Sequence, residues 1–169
     1  MRKVVIIGPE STGKSTLTSA LAEHFAAPAV PEYAREYLIK RGGRYVKADL
    51  LEIAKGQMAL EDQLAYRADD WLFCDTDLHV VKVWSEHKYG TCDPWILHQI
   101  KERSYDTYLV TDIDMPWEAD PLREHPDPKM RQYFFNLYVK LVKQTGKPYQ
   151  IISGTVEERL AQAISFLTA

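Results

Sequence analysis

The chain has 169 residues, 46% of them hydrophobic and 27% charged, with a formal net charge of -3. That length suits a single domain spanning 1–169 with one core, the apolar content excludes a disordered chain, and the charge excludes a global positive field that would draw the protein to nucleic acid or an anionic membrane. Two cysteines, Cys74 and Cys92, form no CxxC pair and the five histidines show no paired ligand spacing, so a reduced, cytoplasmic setting without structural zinc is expected.

Val4-Val5-Ile6-Ile7 is an unbroken β-branched run, the pattern of a strand buried on both faces of a parallel sheet. It is far too short for a signal-peptide core or a membrane span. Leu17, Leu21 and Phe25 recur every four residues, as on an amphipathic helix, and Pro28 closes that region. Residues 29–33 read as a short second strand. Leu50, Ala54, Met58, Leu60 and Leu64 mark a longer helix that tolerates Gly56 at a cost of about 1 kcal/mol. Trp71 to Cys74 reads as another buried strand, with Asp75 and Asp77 at its C-terminal end. Helices are expected over about 78–87 and 95–103, and a strand over 108–111. The segment 112–128 holds four prolines and many charges, and reads as a loop long enough to act as a moving lid. Met130, Phe134, Leu137 and Leu141 give the next helix its stripe, residues 149–152 form the last strand, and Thr155 with Glu158 makes a T-x-x-E capping box that opens the final helix. Strands alternating with helices predict an α/β fold: a three-layer α/β/α sandwich around a central, mostly parallel five-stranded sheet, with ligands at the C-terminal strand ends.

GPESTGKS at 8–15 satisfies G-x-x-x-x-G-K-[ST] between a strand and a helix, the context that the phosphate-binding P-loop requires. Gly8 and Gly13 allow the backbone of Glu10, Ser11 and Thr12 to turn its N–H groups onto phosphate oxygens, and Thr16 continues the cradle into the helix. Lys14 is expected to bridge the β- and γ-phosphates of ATP. Ser15 is expected to place its hydroxyl on Mg²⁺, with Asp75 holding the metal's hydration shell from the neighbouring strand tip. Asp77 either orients substrate or caps the helix at Leu78.

Phosphoryl transfer to a hydroxyl needs an acceptor pocket, a proton acceptor and cations to offset charge on the moving group. Glu32, Tyr33 and Arg35 follow the second strand, with Glu32 the first choice of base. Arg123 lies in the lid and is expected to swing onto the triphosphate, whereas Arg131, on the helix behind it, reads as a weaker candidate open to solvent. Trp84, Trp95, Trp117 and Tyr33 are candidate stacking partners for a flat acceptor, and Gly154-Thr155 is placed to pass under the adenine. The TDID at 111–114 lacks the N-K-x-D that reads guanine, which disfavours a GTPase. A ring-forming ATPase is expected to carry a further helical subdomain, so the length favours a small-molecule kinase. A non-catalytic module that uses ATP to order the 112–128 loop is the alternative from another class.

GPESTGKSTL at 8–17, EYARE at 32–36, DTD at 75–77 and the spaced Trp117, Asp120 and Leu122-Arg123 together resemble the NadR-type ribosylnicotinamide kinase domain, a P-loop AAA-like group. The resemblance implies transfer of the ATP γ-phosphate to the 5′-hydroxyl of nicotinamide riboside in NAD synthesis, with Asp77, Trp117 and Asp120 joining Glu32, Tyr33 and Arg35 around the acceptor. It implies a small nucleoside as partner, and neither nucleic acid nor membrane. Full-length members carry a DNA-binding segment and an adenylyltransferase domain ahead of the kinase, and this chain is expected to phosphorylate only. Members also place a Trp immediately before the Glu-Tyr pair to stack on the nicotinamide. Here Pro31 stands in its place, so the ring contact falls to Tyr33, Tyr66 or Trp117, or the acceptor is another nucleoside or small alcohol.

Overall fold

Four consecutive β-branched residues leave β1 (Arg2–Ile7) no stable place except the middle of a sheet. In the computed structural model, which describes Met1–Ala169, Val4 to Ile7 are wholly buried, and β1 pairs in parallel with β3 (Trp71–Asp75) on one side and β4 (Thr107–Thr111) on the other. The edges are β2 (Ala29–Val30) beside β3 and β5 (Tyr149–Ile152) beside β4, giving the order β2-β3-β1-β4-β5 with every pairing parallel.

Side chains alternate along β1 and so feed two cores. Val4 and Ile6 pack with Leu17 and Leu21 of α1 (Lys14–His24) and Ala163 and Leu167 of α7 (Val156–Thr168). Val5 and Ile7 face the other way, onto Val83 of α4 (Leu78–Tyr89) and Phe134, Tyr138 and Val142 of α6 (Pro128–Gln144). A third cluster joins α2 (Tyr33–Lys40), α3 (Lys47–Ala65), α4 and α5 (Pro94–Glu102) beyond the β2 edge. The three-layer sandwich is therefore observed, with the last strand and the final capping box as expected: Glu158 N donates to Thr155 Oγ1 at 3.2 Å and Thr155 N donates to Glu158 Oε2 at 2.9 Å. No helix is long and apolar enough to cross a membrane.

One element differs from the expectation. The second strand stops at Val30, because as an edge strand it pairs only with Phe73 and Cys74, and Pro31 offers no N–H to extend it. Glu32 instead occupies the N-cap position of α2, a helix not anticipated, whose Ala34 and Leu38 are buried four residues apart. Residues 112–127 contain no helix or strand and cross the C-terminal ends of the strands before α6 begins.

Candidate active site

The turn between β1 and α1 is shaped by close approach. A Cβ at Gly8 would lie 2.4 Å from Thr111 Oγ1, so only glycine lets the chain pass the tip of β4. Gly13 holds φ +77° at the N-terminus of α1, where no side chain caps the helix and its first N–H groups face an anion site. Thr12 Oγ1 bonds Pro9 O and Thr111 Oγ1, each at 2.7 Å, folding the loop on itself. Arg159 of α7, which the sequence reading missed, is a buried strut. It donates to Thr12 O at 2.6 Å, Asp112 O at 3.1 Å, Gly154 O at 3.0 Å and the Asp114 carboxylate, tying the phosphate loop to the base of the lid. No local pattern marked it, since all its side-chain partners but Gly154 lie 45 or more residues away.

Lys14 Nζ donates to Pro9 O at 2.7 Å, curled back over the loop, and burial lowers its pKa against the pull of Glu32, Asp75 and Glu10. Ser15 Oγ donates to Asp75 Oδ2 at 2.5 Å, while Asp75 Oδ1 is buried with no partner. Burial raises the Asp75 pKa, opposed by the Ser15 hydrogen bond and Lys14. A hydroxyl beside a carboxylate with one unused oxygen fits a hard cation that keeps most of its waters, so Ser15 and Asp75 are suited to hold Mg²⁺.

From this loop a cavity of about 960 Å³ runs past Asp75 to a chamber lined by Trp84, His87, His125, Phe134 and Tyr138. Glu32 lines the same cavity, near enough to both Lys14 and Tyr138 for its charge to act on each. Its pKa is raised, first by burial and then by the nearby Asp75 and Glu10 carboxylates, with Lys14 opposing. Its backbone is clamped from α3: Gln57 Oε1 accepts from Tyr33 N at 2.8 Å and Gln57 Nε2 donates to Pro31 O at 3.2 Å, bracketing Glu32 on both sides. The Tyr33 ring lies over Gly56, where a Cβ would come within 2.1 Å of it. Neither Gln57 nor the role of Gly56 was visible as a site signal, because both act on a segment more than twenty residues away, Gln57 on its backbone and Gly56 on the Tyr33 ring.

The three rings put forward in place of a stacking Trp do not line the cavity. Tyr33 is spent on Gly56, Tyr66 is 93% exposed at the end of α3, and Trp117 lies on the lid with the Arg131 guanidinium 5.7 Å from its ring. Among the tryptophans singled out, Trp84 lines the cavity, and Trp95 packs in the third core cluster. Asp77 takes its capping alternative: it accepts from His79 N at 2.9 Å and Tyr108 Oη at 2.9 Å, away from the cavity wall. Gly154 donates to Asp114 Oδ2 at 2.6 Å and Thr155 caps α7, and neither reaches the cavity wall.

Arg35 and Asp120 meet each other at 2.8 Å, joining α2 to the lid. Arg123 lines the cavity and donates to Glu118 O at 2.5 Å. Arg131, read as open to solvent, is only 8% exposed. It donates to Ser11 O at 3.2 Å and Met115 O at 3.3 Å, both carbonyls and neither a carboxylate, and its Nε is buried without a bond. Burial and Arg123 lower its pKa. Two cations beside the phosphate loop, one of them buried and unneutralised, are suited to an anion.

The fold and this loop define a P-loop α/β domain, with a long loop over its strand ends. The chain belongs to the AAA-domain family, which it matches over residues 3–159. Among curated proteins it is 32% identical over 150 residues to the trifunctional NAD biosynthesis/regulator protein NadR of Salmonella typhimurium and 31% identical to that of Escherichia coli. Each match covers 86% of this chain and 37% of the relative, so the chain spans little more than a third of their length. Among solved structures, NadR protein in complex with NR aligns with a TM-score of 0.79 at 22% identity, over 98% of this chain and 50% of that one. Deoxyadenosine kinase from M. mycoides with bound dATP aligns over 100% of both chains with a TM-score of 0.64 at 10% identity. At these identities the likeness is one of fold.

Proposed function

We propose that residues 1–169 form a single cytoplasmic kinase domain that transfers the γ-phosphate of ATP to the 5′-hydroxyl of nicotinamide riboside. The observation that carries this reading is the continuity of the cavity, from the phosphate loop past a desolvated Glu32 into a chamber with aromatic walls. The similarity to NadR, a protein of NAD biosynthesis with a solved complex with NR, supports the choice of acceptor.

The acceptor oxygen attacks the γ-phosphorus, its proton passes to Glu32, and ADP leaves on the phosphate loop. Lys14, Arg123 and Arg131 offset charge on the phosphoryl oxygens as it moves. Ser15 and Asp75 would hold Mg²⁺, which would supply positive charge against the triphosphate. The lid carries Arg123 and excludes water from the transferring group.

A coupled ADP-release assay across a nucleoside panel tests the reading: ATP consumption should rise with nicotinamide riboside and yield its 5′-phosphate. No response to that compound removes it as acceptor. A different nucleoside is the second reading, favoured by Pro31 and by a chamber whose rings come from α4, α6 and the lid instead.

A further inference from the structure

We propose that Glu10 is a positioning residue that latches the lid: its carboxylate, carried on the phosphate loop, holds the backbone of Glu124 and His125 so that the lid closes over the acceptor when the loop is ordered by nucleotide. The inference deepens the kinase reading and rests on it.

Glu10 Oε2 accepts from Glu124 N and from His125 N, each at 3.1 Å, and Oε1 lies 3.3 Å from the same Glu124 N. Such charge-assisted bonds to backbone N–H are about twice as strong as neutral ones. The neighbouring Ser11 Oγ accepts from Glu118 N at 2.9 Å, a second point of attachment on the same strip of lid. A phosphate cradle uses the backbone N–H groups of these positions, which leaves the side chains free for other work. Here both are turned to the lid.

The lid's other margin is held by the acceptor-side elements. Arg35 of α2 pairs with Asp120, and Tyr45, between α2 and α3, donates its hydroxyl to the Glu124 carboxylate. The same hydroxyl accepts from Trp84 Nε1 at 3.0 Å and Lys88 Nζ at 2.6 Å. Glu124 is thus gripped by its backbone from the nucleotide side and by its side chain from the acceptor side. A triphosphate seated on the loop fixes residues 8–15, so the entropy of presenting Glu10 is already spent before the lid arrives. Closure is then favoured further once ATP is in place, and the closed lid keeps water from the γ-phosphate.

Hydrogen exchange at the amides of Glu124 and His125 reads these bonds directly, with each variant compared at a Mg·AMP-PNP concentration that saturates it. In the parent protein the nucleotide should slow exchange across 118–125. Glu10→Ala should exchange about ten-fold faster at 124–125 under the same conditions, whereas Glu10→Gln, whose amide oxygen still accepts, should stay within about three-fold of the parent. Glu10→Asp, one methylene too short, should fall between them and carries the comparison if the alanine variant does not fold. Equal exchange in the parent and Glu10→Ala overturns the latch, as does a glutamine variant no better than alanine. The measurement needs no acceptor, so failure of nicotinamide riboside as a substrate would leave its outcome standing.

Discussion

At the phosphate end of the cavity, one eight-residue loop lines the wall continuously, on a strand whose last four residues are wholly buried. At the acceptor end the wall is assembled from side chains of α2, α4, α6 and the lid, which lie up to about a hundred residues apart in the chain. The first construction tolerates almost no change of residue type but needs only a short motif. The second fixes its shape by contacts between distant segments, so single changes there should alter selectivity before they abolish chemistry.

That contrast can be pressed hardest at Lys14. Lys14→Ala should lower kcat/KM about 10³-fold with an unchanged circular dichroism spectrum, since the cation on the transferring phosphoryl is lost. Glu32→Gln should lower kcat about 10²-fold while ATP binding by calorimetry changes little. Unchanged turnover would take the role of base from Glu32. Arg131→Met should also cost about 10²-fold in kcat/KM, and a surface arginine would cost almost nothing. Asp75→Asn should raise the Mg²⁺ needed for half-maximal rate by about ten-fold or more, read from a metal titration. The smallest effect belongs to the exposed margin of the lid: Asp120→Ala should leave the melting temperature near the parent's and raise only the acceptor KM.

The acid also gives a pH test. Burial holds the Glu32 pKa above the ordinary carboxylate range, and a base must be ionised to work. Transfer should therefore fall as the pH drops through that raised pKa, at a higher pH than for a free carboxylate, and Glu32→Gln should lose this limb. For stability the sign is the reverse. A carboxyl whose pKa rises on folding stabilises the ligand-free protein below the unfolded carboxylate range, and that contribution is lost as pH rises through the folded pKa.

Much of the sandwich was legible in the chain because β-branched runs and four-residue stripes are local signals. The phosphate loop was legible because its motif is local too, and Asp75 because it ends the short apolar run from Trp71 to Cys74. What stayed hidden depends on distance. Ala34 and Leu38 did carry the spacing of α2, but Pro31 and the short edge strand drew attention to the wrong element. Arg131 reads as a solvated helix residue until Ser11 and Met115 are folded over it, and Arg159 has no partner within four residues except Thr155, whose carbonyl takes its backbone N–H. Tyr33, Tyr66 and Trp117 fall outside the cavity wall, and nothing in their spacing reveals which way each ring faces.

The bare Cα of Gly56 has a consequence for anyone who would improve this protein. Replacing it with alanine is the usual prescription for stiffening a helix and should add about 1 kcal/mol to α3 by propensity alone. Here the added methyl would collide with the Tyr33 ring at 2.1 Å, prise the first turn of α2 away from Gln57, and carry the neighbouring Glu32 with it. The aim of the acid thus depends on a missing methyl on a different helix, and the usual stabilising substitution should here cost folding and chemistry together.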